Sequence, residues 1–299
     1  MDQRTPKPES PSLPQRVMFD AVMPAAMAVR AEEVGVMKAA TDPLTVLALS
    51  VLGGAFISLG AIFATTVSTG GGALPYGVVR LLSGVVFTLG LILVVSAGAE
   101  LFTGNNLVVM AWASGKVRTR AVLVNWTLVF IGNFAGAVAT AALVFCSKQY
   151  EFADGAVGLA ALNAANGKVG HAFGQAFVLG VMCNALVCLA IWMSYSARTA
   201  IDKIAVVVPP VAAFVAAGFE HCIANIYYIP LGLFIKAGAS ESFWSALGKA
   251  PTDFPALTWE NFFVANLLPV TLGNVLGGSV LVGLAYWFIY LRGSLSVSR

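Results

Sequence analysis

Glu220 and His221 stand side by side in the phrase Gly218-Phe219-Glu220-His221-Cys222-Ile223-Ala224-Asn225. A carboxylate beside an imidazole can hold, give or take a proton, and an imidazole changes charge near physiological pH. Residues 204–219 and 222–235 on either side carry no charge. Together they exceed the roughly 20 apolar residues that cross a bilayer. The pair therefore falls near the middle of a membrane span, where an ionisable group is expensive and by default marks a substrate or ion path.

The phrase occurs once more. Gly98-Ala99-Glu100-Leu101-Phe102-Thr103-Gly104-Asn105 has the same Gly-x-Glu-x4-Asn spacing, again between uncharged runs (81–99 and 106–115). Asn125, Gly132, Asn133 and Gly136 are matched at identical spacing by Asn266, Gly273, Asn274 and Gly277. Two pairs in the same order, one in each half, indicate an internal duplication.

The elements that hold these phrases must be membrane helices. The chain is 59% hydrophobic and 10% charged, against about 25% charged in an average chain. Its uncharged runs predict six spans: 43–66, a second interrupted at 99–105, 121–146, 172–195, 203–236 interrupted at 218–222, and 262–291. Asp42-Pro43 suits the start of the first. The proline-bearing residues 1–15 read as a flexible tail, and 17–38 as an amphipathic helix lying on the membrane surface. No signal peptide is recognised, so the first span is expected to direct insertion. The expected organisation is a cytoplasmic tail and helix (1–42), one channel domain (43–292, repeats near 43–147 and 169–292) and a short tail (293–299). Twelve of the seventeen Lys and Arg lie on the N-terminal side, which makes both termini cytoplasmic. A repeat of three spans is odd, so the second copy is inverted, an architecture of transporters and channels.

A broken helix offers unpaired N–H groups and the positive end of its dipole, so two breaks aimed at one centre make an anion site. Pseudo-twofold symmetry can bring Thr103 of one break to His221 of the other. A protonated His221 could then pair with a small anion or give it a proton. Glu100 and Glu220 read as staples that accept backbone N–H bonds in their breaks. Lys168 reads as an outer cation able to attract anions, His171 as an interfacial residue, and Phe87, Leu91, Phe102 and Phe214 as packing. The four cysteines all lie in apolar runs without C-x-x-C spacing, so small packed side chains are expected. No metal, cofactor or nucleic acid is expected. An aquaporin-like neutral pore lacks its Asn-Pro-Ala pair, and a hydrolase lacks Gly-x-Ser-x-Gly.

These phrases resemble the formate/nitrite transporter family, and within it the formate channel branch. The likeness runs over nearly all of 18–292. It rests on Leu101-Phe102-Thr103, on Gly218 to Asn225, on Met193-Ser194-Tyr195-Ser196 before Arg198, and on Phe243-Trp244 through Ala250-Pro251. The resemblance implies an all-α, aquaporin-like six-helix fold, a homopentamer with one pore per protomer, and a bacterial inner membrane protein with pH-linked gating. It implies a cytoplasmic constriction of Phe87, Leu91 and Phe102 and an outer one of Leu101 and Phe214. It further implies polar pore-lining groups Asn184, Asn274 and Asn133, a central Thr103–His221 pair with Glu220 beside it, and Lys168 as the anion attractor. Glu100 with Gly104-Asn105 is closer to the general family form than to the formate branch, which keeps nitrite and hydrosulfide as alternatives.

Overall fold

The structure, a computed structural model, describes residues 21–293. The expected tail 1–15, all of the expected tail 293–299 but its first residue, and the first residues of the 17–38 stretch lie outside the described residues. Every regular element described is helical: α1 (Pro24–Ala40), α2 (Pro43–Ser68), α3 (Tyr76–Ala97), α4 (Val109–Ala113), α5 (Thr119–Cys146), α6 (Ala156–Val169), α7 (Phe173–Ser194), α8 (Ala200–Ala217), α9 (Cys222–Gly238), α10 (Glu241–Leu247) and α11 (Trp259–Tyr290). Six of them, α2, α3, α5, α7, α8 and α11, are long and apolar enough to cross a membrane. α11 widens into π-helical turns over Phe262–Leu267 and Leu276–Leu284.

Local chemistry explains the boundaries. The Asp42 carboxylate accepts the Thr45 N–H at 3.0 Å and Pro43 opens α2. α3 and α8 both stop at a glycine in the left-handed region, Gly98 at φ 84° and Gly218 at φ 77°. A Cβ is strained there, so the glycine that begins each repeated phrase is also the residue that ends each first limb. The chain then resumes as a short 3-10 turn and α4 at one break and as α9 at the other.

α2 packs on α5 and α7 on α11 through the matched glycines. A Cβ on Gly136 would meet the carbonyl of Val51, and one on Gly277 the carbonyl of Val181. Backbone cannot yield as a flexible side chain does, so Gly136→Ala is expected to destabilise the protein by about 1–3 kcal/mol, offset by less than ~1 kcal/mol of helix propensity. Gly77, also helical, faces open space, so Gly77→Ala should unfold no earlier than the parent. Thermal unfolding in detergent reads both. A Gly136→Ala protein as stable as the parent would refute the close-packing account.

Two expectations are corrected here. α1 does not simply lie on a membrane surface. Its buried Met27, Ala28 and Ala31 pack against Leu107, Met110, Cys188 and Trp192, and the Lys116 ammonium pairs with the carboxylate of Glu32. The Val22 N–H adds a bond to the Ser196 carbonyl at 2.9 Å. Protein offers α1 a closer apolar partner than lipid does. The second correction concerns the repeat, which starts a helix earlier than composition suggested, because α1 and α6 occupy equivalent places. Asn125 donates to the carbonyl of Lys38 at 3.2 Å, and Asn266 to that of Lys168 at 2.8 Å.

Candidate functional site

The two breaks are built alike, bond for bond. The Glu100 N–H donates to Leu49 O at 3.2 Å and the Glu220 N–H to Leu179 O at 3.3 Å. The Phe102 N–H donates to Asn133 Oδ1 at 2.8 Å, and the Cys222 N–H to Asn274 Oδ1 at 2.9 Å. Asn133 Nδ2 donates to Ser50 O (2.6 Å) and Glu100 O (2.8 Å), while Asn274 Nδ2 donates to Gly180 O (2.8 Å) and Glu220 O (2.9 Å). Both asparagines are fully buried, and their amides hold each break against the helices beside it. Asn184 acts in the same way: its Nδ2 lies within hydrogen-bond reach of Thr103 O (3.3 Å), Asn106 Oδ1 (2.7 Å) and Asn274 O (2.6 Å), joining the first break to the helix that holds the second. An unpaired amide at this depth would cost several kcal/mol, on the order of 2–7, which is why the backbone irregularity is so fully bonded.

The carboxylates are staples, but not of the expected kind. Their donors are side chains rather than backbone N–H groups. Glu220 accepts from Lys168 Nζ at 2.9 Å, Asn225 Nδ2 at 2.6 Å and Asn266 Nδ2 at 3.2 Å. Glu100 accepts from Lys38 Nζ at 2.6 Å and Asn105 Nδ2 at 2.5 Å. The Lys38 cluster is thus the counterpart of the Lys168 cluster on the opposite face of the molecule. Sequence reasoning gave Lys38 no role. A signal existed: each lysine stands in the last turn of the helix just before its repeat's first membrane span, Pro43–Ser68 or Phe173–Ser194.

Thr103 and His221 meet as expected, with Oγ1 and Nε2 3.1 Å apart and both residues buried. His221 is also the N-cap of α9, its Nδ1 accepting the Ala224 N–H at 3.2 Å. That bond assigns the tautomer: Nδ1 is bare, so the proton of the neutral ring sits on Nε2 and is donated to Thr103 Oγ1. A doubly protonated ring, with its single positive charge, would carry a proton on Nδ1 and would lose the cap. At the breaks, the N–H groups left without an acceptor among the described residues are those of Leu101, Thr103 and Gly104 in one and of His221 in the other.

A cavity of about 610 Å³ opens toward this centre from the side opposite α1 and reaches His221. Phe87 and Phe214 line it together, their rings 5.8 Å apart at 82°, and the Phe214 ring lies 6.0 Å from the imidazole. Phe87 thus shares the cavity wall with Phe214, whereas Leu91 and Phe102 do not reach it. Phe87 sits one turn nearer the open end of α3 than Leu91 does. Leu91, Leu101 and Phe102 are all buried and contribute nothing to the cavity wall. Phe102 instead packs edge-on against Phe130 at 5.1 Å.

Lys168 also lines the cavity, but its charge is balanced by Glu220. Arg80 is the cavity cation whose bonds go to carbonyls: Nε donates to Ala216 O at 3.1 Å and Nη2 to Val215 O. It caps α8 at its negative end, and no carboxylate pairs with it among the described residues. His171 is more than interfacial, with Nε2 4.0 Å from Glu220 Oε1. Cys183, Cys188 and Cys222 are buried as expected, whereas Cys146 is exposed.

Two inverted half-repeats whose broken helices meet beneath a polar cavity define a membrane channel or transporter. The chain belongs to the formate/nitrite transporter family, whose model matches residues 25–288. It is 49% identical over 274 residues to the formate channel FocA of Escherichia coli, covering 92% of this chain and 96% of that one. Identity to the formate channel FocA of Haemophilus influenzae is 39% over 269 residues, covering 90% and 95%. Among solved structures it superposes on a pentameric formate channel with formate bound at TM-score 0.80 and 46% identity, covering 84% of this chain and 98% of that one. A second, an ion channel of the same family, gives TM-score 0.75 and 29% identity, covering 88% and 98%.

Proposed function

We propose that this protein is a homopentameric formate channel of the bacterial inner membrane, with one pore per protomer and both termini cytoplasmic. The observation that carries the reading is the Thr103–His221 contact at 3.1 Å, at the floor of a cavity whose walls are Phe87, Phe214, Arg80 and Lys168. Formate is drawn in by Arg80, which no carboxylate pairs with among the described residues, and by Lys168, whose side chain is partly exposed. At the floor a formate oxygen replaces Thr103 Oγ1 as acceptor of the His221 Nε2–H.

The remaining step is a proton transfer. A proton taken up at Nδ1 releases the Ala224 N–H and makes the ring an acid. Its Nε2 proton then passes to formate and leaves a neutral ring protonated on Nδ1. Formic acid, carrying no charge, is the form that passes the buried apolar side chains of Leu91, Leu101 and Phe102, because desolvating the anion there costs far more. Return of the ring proton to Nε2 resets the cap.

Glu100 with Gly104-Asn105 does not argue against formate. The Glu100 carboxylate is bonded to Lys38 and Asn105, away from the Thr103 hydroxyl, so the departure lies in a scaffold and not at the centre. The test is flux of formate, nitrite and hydrosulfide into proteoliposomes over a series of pH values. Formate is expected to be fastest and to pass in both directions. Faster nitrite or hydrosulfide flux would overturn the substrate assignment.

A further inference from the structure

A groove separate from the central cavity lies between the first turns of α2 and α5. It opens on the face that carries α1 and has a volume of about 280 Å³. Its walls are of two kinds. Val46, Val124 and Leu128 make an apolar wall, and Arg118 and Arg120 make a cationic one. Both arginines are exposed, and neither side chain has an ion-pair or hydrogen-bond partner among the described residues. That sets them apart from Arg30, Lys38, Arg80, Lys116, Lys168 and Lys236, which are all committed to carboxylate or carbonyl oxygens.

The surroundings match one kind of molecule. α5 opens at Arg118 without a capping side chain, so its N-terminal dipole is not offset by an acidic cap. The Thr119 hydroxyl is already an acceptor for Trp112 Nε1 at 2.9 Å. Asp42, at the head of α2, accepts from the Thr45 N–H of its own helix. Immediately beyond the arginines, residues 121–147 are uncharged, and Leu123 and Val124 are 56% and 45% exposed. The arginines therefore mark headgroup depth, and the groove runs from there toward acyl-chain depth.

We propose that this groove binds an anionic phospholipid of the leaflet on the α1 face. Arg118 and Arg120 clamp its phosphate, and one acyl chain lies along Val46, Val124 and Leu128. A guanidinium presents its N–H groups as a planar fork that suits phosphate oxygens. Basic pockets between membrane helices are natural seats for such headgroups. The argument is complementarity: one ligand supplies both the negative head and the apolar tail that the two walls require. A soluble phosphate would leave the apolar wall bare.

The experiment titrates the intact oligomer, purified in neutral detergent, with phosphatidylglycerol or phosphatidylcholine and counts bound lipid by native mass spectrometry. Phosphatidylglycerol is expected to bind preferentially. Arg118→Ala/Arg120→Ala is expected to weaken it roughly 30-fold, while Arg118→Lys/Arg120→Lys retains most of the affinity. Lys203→Ala, on the same face but outside the groove, should change nothing. If the alanine pair fails to fold by thermal unfolding, Arg118→Gln/Arg120→Gln must give the same loss. Equal binding of the neutral lipid would overturn the proposal, as would an equal loss with Lys203→Ala. So would displacement by soluble glycerol phosphate at matched concentration, or subunit-to-subunit cross-linking through Val124→Cys, which would show a second copy filling the groove.

Discussion

Glu220→Ala is expected to destabilise the folded channel by about 3–5 kcal/mol, the range for removing one partner of a buried ion pair. The carboxylate is 4% exposed, and its partner Lys168 is 18% exposed. Deleting it strands three donors at once: the Lys168 ammonium and the amides of Asn225 and Asn266. The two amides cannot turn to water without opening the break, because both asparagines are fully buried. Lys168→Met alone should also be damaging, because it leaves the carboxylate with amide donors only. The double variant Lys168→Met/Glu220→Gln removes both charges and keeps an acceptor for the two asparagines. It should recover at least ~1 kcal/mol relative to the summed losses of Lys168→Met and Glu220→Gln made singly, since contacting residues couple by 0.5–3 kcal/mol or so. Unfolding in detergent, followed by near-ultraviolet circular dichroism, measures the cycle. Additive losses, or a Glu220→Ala protein as stable as the parent, would rule out the staple. The corresponding Glu100→Ala change should cost less, since that carboxylate and Lys38 are 13% and 24% exposed.

His221→Asn separates the two jobs of the imidazole. Asparagine is among the best N-cap residues, so its side-chain oxygen can still accept the Ala224 N–H that His221 Nδ1 now accepts at 3.2 Å. The break should persist and the protein should remain folded. What asparagine cannot do is carry a proton across the contact with Thr103. Formate flux is expected to fall on the order of 10²-fold, the lower end for loss of a general acid, and what remains should lose its dependence on pH. His221→Ala removes the cap as well and should add an instability of about 1 kcal/mol. If His221→Asn carries formate at the parent rate with the parent pH profile, the imidazole is a structural cap and nothing more.

Much of this site is legible in the chain because it is locally encoded. Gly98 and Gly218 end their helices through a backbone conformation that only glycine adopts cheaply, and Asp42-Pro43 starts a helix by caps that act within one turn. Uncharged runs of span length announce membrane helices whatever they pack against. The repetition of Gly-x-Glu-x4-Asn announces two breaks of one design, and with it the meeting of Thr103 and His221 by symmetry. The family likeness added the expectation of which side chains constrict the path.

What the sequence did not decide was the partner of each polar group. Lys168 and Glu220 are 52 residues apart and Asn184 and Asn274 are 90 apart, and no local pattern links them. The family likeness offers Asn133 and Asn274 as pore-lining groups, and only packing shows that their amides also bond the backbone of the neighbouring break. The same holds for Phe87, which pairs with Phe214 because α3 and α8 lie side by side at that depth, and for α1, whose apolar face found protein. Helix ends, spans and repeats follow from short-range conformational preference and from the cost of charge in lipid. The side to which an amide, ring or ammonium turns is fixed by the register between helices distant in sequence, and the tertiary structure alone sets that register.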